Sequence, residues 1–347
     1  MLNKNNKVIV FAQDSFGGES AKTAIGFIRY GLCETLGIVD RKLTGKKASD
    51  IVSNLKPVPI FGSIEEAKRT SPEADTLLVG IATAGGEFPK DWLGDIEKAM
   101  NLKLNIVNGL HDFLSDIQEI KTLALKHGVF VWDVRKINKK FSIANARLLD
   151  YPTCIILTVG TDGAIGKMTV AIELTKAAKK QGVKAKFIAT GQTGMMISGE
   201  GVPVDAIVSD FASGAVEQEI VKACDEGFNF AFVEGQGSIL HPAWSGVTLA
   251  LLHGSLPHKL ILCHKANREY LKNTKIKIES LNQFIRLYEE MSLPVRKAKV
   301  VGIGLNTDGL NASETDYAIK KAEDQTALPV CDVVKQDSKK LLTVCLE

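Results

Sequence analysis

No apolar run in this 347-residue sequence is long and clean enough to cross a bilayer. The best candidate, Val247–Cys263, is interrupted by His253, His258 and Lys259, which excludes a membrane-spanning reading. Charge of one sign is lacking too. Lys and Arg number 43 against 40 Asp and Glu, a formal net charge of +3. That balance excludes a broad nucleic-acid face and leaves room only for a local basic pocket. The six cysteines (Cys33, Cys154, Cys224, Cys263, Cys331, Cys345) form no Cys-x-x-Cys pair and no regular spacing. A disulfide framework is therefore excluded, and buried thiols in a reducing compartment are expected. No His/Cys spacing suggests zinc, and no Ser-His-Asp nucleophile elbow is present. The first residues show no signal-peptide pattern, and no repeat or low-complexity tract interrupts the chain. A cytoplasmic α/β protein, without nucleic-acid or membrane partners, is the expectation.

What is present is a rhythm. At roughly 150 residues per domain the length implies two domains, and a polar segment at Asp133–Asp150 supplies the boundary. Residues 1–150 alternate strand patterns (Val8–Ala12, Leu36–Val39, Thr76–Ile81, Leu104–Val107, Val129–Trp132) with helical ones (Ser20–Tyr30, Ile64–Lys68, Pro89–Met100, Leu110–His127). Residues 151–347 repeat this with strands at Cys154–Val159, Ala185–Ala189, Phe228–Val233, Lys259–Cys263 and Lys299–Leu305. Alternating β and α elements predict parallel sheets covered on both faces. In the first half a Gly turn at Phe16-Gly17-Gly18 follows the first strand, and Asp40 closes the second. That is the outline of a dinucleotide unit, without its Gly-x-Gly-x-x-Gly fingerprint. Lys22, Arg29, Arg41 and Arg135 are candidate receivers of a substrate carboxylate.

The most specific signal lies in the second half. A buried-type strand, Ile155–Val159, runs into Gly160-Thr161-Asp162-Gly163-Ala164-Ile165-Gly166-Lys167-Met168-Thr169 and then a helical pattern ending before Gly182. Such a loop aims backbone N–H groups and a helix N-terminus at phosphate oxygens, with Lys167 as a point charge. Five residues separate the glycines instead of four, and Met168 stands where a Ser or Thr hydroxyl normally holds Mg²⁺. A thioether is a poor ligand for that hard cation. Phosphate binding is thus expected at Gly160, Thr161, Asp162, Gly163, Gly166, Lys167, Met168 and Thr169, with no metal as the primary expectation.

Other loops at strand ends are rich in small polar residues. They are Thr190-Gly191-Gln192-Thr193-Gly194, Ser209-Asp210-Phe211, Glu234-Gly235-Gln236-Gly237 running to His241, and Asn306 after the last strand. Open α/β sheets build their ligand crevice at those ends. Gly191, Gln192, Thr193, Gly235, Gln236 and Asn306 join the cofactor site on this reading. Glu234 and His241 are the candidate general bases. His253 and His264 read as packed, hydrogen-bonded side chains. The apolar stretch Val247–Leu256 reads as core or as a subunit interface, so a homo-oligomer stays open.

Gly-Thr-Asp-x-x-x-Gly-Lys and Glu-Gly-Gln-Gly resemble the loops of dethiobiotin synthetase, which implies a P-loop NTPase-like fold for the second half. The wider set, Ala189-Thr190-Gly191-Gln192-Thr193-Gly194, Ser209-Asp210-Phe211, Glu234-Gly235-Gln236-Gly237-Ser238 and His241-Pro242-x-x-Ser245-Gly246-Val247-Thr248-Leu249, resembles one family over nearly the whole chain. This is the DgcN-like D-glutamate N-acetyltransferase family, long described only as a domain of unknown function. The resemblance implies a Rossmann-like N-terminal domain, a P-loop C-terminal domain, acetyl-CoA as donor and a small amino-acid substrate. In that chemistry Glu234 or His241 deprotonates the amine, and amides of the glycine loops hold the oxyanion. The alternative is an ATP- and Mg²⁺-dependent ligase or kinase of the dethiobiotin synthetase type, with Asp210 and Glu234 holding the metal. A non-catalytic nucleotide-binding protein is the third reading.

Overall fold

The computed structural model describes residues 2–293 and 295–347. Contacts divide the chain into one unit of Met1–Asn138 with Met195–Glu200, and a second of Lys139–Gly194 with Gly201–Glu347. The first holds six parallel strands, β1 (Lys7–Phe11), β2 (Glu34–Val39), β3 (Ile60–Phe61), β4 (Thr76–Val79), β5 (Asn105–Asn108) and β6 (Val131–Asp133). Their order, 3-2-1-4-5-6, is that of dinucleotide-binding folds. Val8, Ile9, Val10 and Phe11 are fully buried, as expected of a central strand covered on both faces.

Two features of this unit differ from the sequence reading. The helix expected over Leu110–His127 begins only at Gln118. The buried Asp133 carboxylate takes the amides of Leu114 and Ser115, and Ile117 adopts an extended backbone, so one short turn precedes the helix. Asp40, the outline's candidate acid, is buried and accepts from the amides of Ser15 (3.1 Å), Phe16 (3.0 Å) and Lys42 (3.0 Å). It clamps the Gly turn to the end of β2. Of the four candidate carboxylate receivers only Arg135 is buried, with its guanidinium on Gly109 O.

The second unit also has six parallel strands, β7 (Cys154–Gly160), β8 (Ala185–Ile188), β9 (Phe230–Val233), β10 (Lys259–Lys265), β11 (Lys299–Asn306) and β12 (Val330–Cys331), in the order 12-11-10-7-9-8. Side chains alternate across β7. Ile155, Leu157 and Val159 meet Leu251, Leu252, Phe284 and Tyr288 on one face. Ile156 meets Ile261, Leu174 and Leu342 on the other. The stretch Val247–Leu256 forms most of the helix Ser245–Ser255, whose Leu251 and Leu252 enter the core and which packs so closely that a Cβ on Gly254 would lie 2.4 Å from Ser213 O. Among the described residues no helix is long and apolar enough to cross a membrane. β3 and β12, two residues each, are too short to leave a periodic trace in sequence.

Candidate functional site

Five loops leave the carboxyl ends of β7, β8, β9, β10 and β11 in the second unit, and with the first turns of the helices after β7 and β8 they hold the candidate cofactor residues, Glu234 and His241. β7 lies centrally and its loop runs from Thr161 to Gly166. The helix Lys167–Lys180 then starts on Gly166, whose φ of 107° only glycine adopts without strain. The strand, loop, Lys and helix N-terminus thus stand in the arrangement that binds phosphate elsewhere.

Lys167 is buried although charged. Its stem runs past two glycines: a Cβ on Gly160 would sit 3.1 Å from Lys167 Cδ, and one on Gly235 3.2 Å. Gly235 has no room for any side chain, because its Cβ would fall 1.6 Å from Thr158 O. Lys167 Nζ donates to Asp162 O at 2.6 Å, so the ammonium curls over the loop that precedes it. Met168 and Thr169 are half-buried on the first turn, and no hydroxyl follows the lysine directly.

Asp162 is fully buried and held by its own surroundings. Its Oδ1 accepts from Gly163 N (2.7 Å); its Oδ2 accepts from Arg268 Nη1 (2.9 Å) and Lys272 N (2.9 Å). Thr161 N donates to Cys263 O (3.1 Å), and Thr161 Oγ1 meets His264 Nδ1 at 2.9 Å. Thr161 and Asp162 therefore fasten the loop to the segment leaving β10. Burial, reinforced by Arg268 and opposed by Asp162, holds His264 down at about 4, so this imidazole is neutral. Cys263, in register with Gly160, is pushed up to about 12 by burial against the pull of Lys167.

Glu234 leaves β9 as a buried carboxylate. Its Oε2 accepts from Thr190 N (3.0 Å) and Gly191 N (3.3 Å), while Thr190 Oγ1 donates to its carbonyl oxygen (2.7 Å). A Cβ on Gly194 would come within 2.2 Å of Oε2. Gln236 Nε2 reaches Thr190 O at 2.5 Å, and Gln192 and Thr193 begin the next helix, so all of these gather with Glu234. Two amides expected to face an oxyanion are already engaged: Gly191 N on Glu234 and Gly235 N on Thr158 Oγ1 (2.9 Å).

His241 is buried and stacks on Trp244, with ring centroids 3.9 Å apart and planes 18° apart. Its Nδ1 accepts from Ala243 N (3.1 Å), which assigns the proton to Nε2, donating to Lys272 O (2.9 Å). Both ring nitrogens are thereby committed. Asn306 Nδ2 donates to Ile165 O at 3.4 Å, which sets the residue beside the helix start. Asp210 stands exposed on the first turn of the helix Ser209–Asp225. Among the described residues no three His, Cys, Asp or Glu side chains gather into a metal-holding group. His253 Nε2 meets Met291 O at 2.9 Å, a packing contact away from these loops.

The sequence reading missed Arg268, Lys272, Trp244 and Tyr288. Tyr288 is fully buried on the helix Leu281–Met291; its hydroxyl donates to Gly160 O (2.7 Å) and accepts from Ile239 N (3.1 Å). Burial pushes this phenol up to about 12. Arg268 and Lys272 follow the end of β10, and the strand-end rule that flagged the loops of β8 and β9 flags that segment equally. Tyr288 carries no local signal.

Residues 142–342 match the P-loop domain of DUF1611, and residues 41–137 match the Rossmann-like domain of the same family, both described as domains of unknown function. A crystal structure of a DUF1611 family protein from Anabaena variabilis superposes with a TM-score of 0.94 at 36% identity, covering 98% of this chain and 99% of that one. A protein of Tritonibacter scottomollicae named D-glutamate N-acetyltransferase is 33% identical over 286 residues, 81% of this chain and 83% of its own. One of a Pseudoalteromonas species, with the same name, is 36% identical over 267 residues, 76% of this chain and 78% of its own. The two parallel-sheet units, one matching the Rossmann-like and one the P-loop domain, and these matches along the chain make it a member of the DUF1611 family.

Proposed function

We propose that this chain is an N-acetyltransferase that moves the acetyl group of acetyl-CoA onto the amine of D-glutamate or a close analogue. The observation that carries the reading is the loop itself. A buried Lys167 and a 14-residue helix starting on Gly166 suit phosphate, while Met168 replaces the hydroxyl that Mg²⁺-dependent nucleotide hydrolysis uses. Coenzyme A carries a diphosphate that such a cradle holds without a metal. The names of the two relatives supply the reaction class and the amino acid.

Bound acetyl-CoA would supply an activated acyl group and a thiol leaving group. Gly166, Lys167 and the helix N-terminus hold its phosphates. Glu234 takes the proton from the substrate ammonium; the Thr190 and Gly191 amides fix the orientation of its carboxylate. His241, with both nitrogens engaged, positions Lys272 against the phosphate loop and is not the base in this scheme.

The test combines ligand-induced thermal shifts with an acetylation assay. Acetyl-CoA without Mg²⁺ stabilises the protein, and acetylated D-glutamate accumulates. Glu234→Gln slows turnover by roughly 10²–10⁴ while keeping acetyl-CoA binding. Stabilisation only by ATP with Mg²⁺, and no acetylated product, would overturn the reading.

A further inference from the structure

The segment after β10 carries an unusual share of the chain's positive charge. Between residues 265 and 277 lie Lys265, Arg268, Lys272, Lys275 and Lys277, against Glu269 alone. That local excess is larger than the +3 of the whole chain. The segment is also built. Tyr270 pairs antiparallel with Lys277, Leu271 N donates to Ile276 O (2.9 Å) and Ile278 N to Glu269 O (2.8 Å). A turn follows Leu271, with Asn273 in the left-handed region at φ 60° and Thr274 N on Leu271 O. The turn is tied to the loop after β7 by the Lys272 and Arg268 bonds to Asp162 Oδ2, and to the loop after β9 by His241 on Lys272 O.

Structural need accounts for Arg268, and Lys265 faces Asp308 at 3.8 Å. It does not account for Lys275 and Lys277. Both are exposed, and among the described residues neither has an acidic partner. Tyr270 and Ile276, each about half exposed, present a ring and an aliphatic surface on the same hairpin. Two exposed lysines without an acidic partner, with the half-exposed Tyr270 paired to one of them, thus stand on a hairpin pinned to the glycine loop after β7.

We propose that the hairpin Glu269–Ile278 is a second phosphate subsite that recognises a phosphomonoester on the nucleotide whose diphosphate lies in the loop. For acetyl-CoA, and so resting on the function proposed above, that group is the 3′-phosphate of the ribose. The subsite selects 3′-phosphorylated nucleotides over those without that phosphate.

Calorimetric titration of the full chain with adenosine 3′,5′-bisphosphate and with adenosine 5′-monophosphate isolates the one phosphate. The wild type prefers the bisphosphate by about tenfold, the worth of two exposed charge pairs. In Lys275→Ala/Lys277→Ala the preference falls to within about twofold, with 5′-monophosphate affinity and circular dichroism unchanged. The KM ratio of acetyl-dephospho-CoA to acetyl-CoA moves in parallel, at constant kcat. A wild type that does not discriminate, or a variant that still does, overturns the subsite even where acetyl transfer is observed. Loss of the preference in the variant without any acetyl transfer leaves the subsite standing and removes acetyl-CoA as its ligand.

Discussion

Tyr288 and Gly160 lie 128 residues apart, yet the phenol hydroxyl donates to the glycine carbonyl at 2.7 Å. The same oxygen accepts from Ile239 N, so one buried side chain joins the start of the phosphate loop to the loop that carries Glu234 and His241. Tyr288→Phe removes the hydroxyl and leaves the buried Gly160 carbonyl and the half-buried Ile239 amide without it. The expected cost is about 1–3 kcal/mol, read as a lower urea midpoint at unchanged slope.

Lys167 gives the opposite balance between stability and binding. Lys167→Met keeps the stem that fills the slot beside Gly160 and Gly235 and removes a buried charge. Affinity for phosphate-bearing ligands falls roughly 10–100-fold, the worth of a charged hydrogen bond. The melting temperature of the free protein stays level, because relief of the ammonium's desolvation offsets the bond lost at Asp162 O. Calorimetry and a thermal melt on one preparation check both halves.

The Asp162–Arg268 pair predicts non-additivity. Arg268→Ala strands a fully buried carboxylate and costs on the order of 3–5 kcal/mol. Asp162→Asn/Arg268→Met, with neither charge of the pair left, loses less than the sum of its single changes. A double-mutant cycle by chemical denaturation measures the difference.

Acid should unfold the second unit earlier than neutral pH does. Burial, with help from Arg296 and Lys259, holds His258 down at about 4, and His264 sits at about 4 as well. Unfolded, both imidazoles protonate near their ordinary value of about 6.5. Between about 6.5 and about 4 the unfolded chain binds more protons, so stability falls as pH drops through that window and is flat above it. Urea midpoints at pH 7.5, 6 and 5 test the slope, and His258→Gln makes it shallower.

Much of this architecture is written locally. Gly160–Thr169 is contiguous, and its strand, glycines, lysine and helix can be read without knowing anything else about the chain. The strand-end loops were legible for the same reason. What the sequence hides is where charged groups spend their hydrogen bonds. Asp40 has the position of a ribose-binding acid, yet the amides of Ser15, Phe16 and Lys42 claim it. His241 has the loop of a general base, yet Ala243 and Lys272 take both of its nitrogens. The partners of Asp162 and Gly160 lie more than a hundred residues away, beyond any local pattern. Turn chemistry and catalysis recruit the same residue types at the same strand ends, and only three-dimensional neighbours separate them.

Cys263 sits opposite Gly160 on the adjoining strand, fully buried, with its proton held up to about pH 12. Only a thiolate that has met solvent reacts with an alkylating reagent. Modification of this sulfur therefore counts the moments when the packing of Ile165, Val170 and Leu174 over β10 opens. The chain thus carries its own clock for the opening of the packing beneath the helix that starts on Gly166, read by the rate at which one thiol is alkylated.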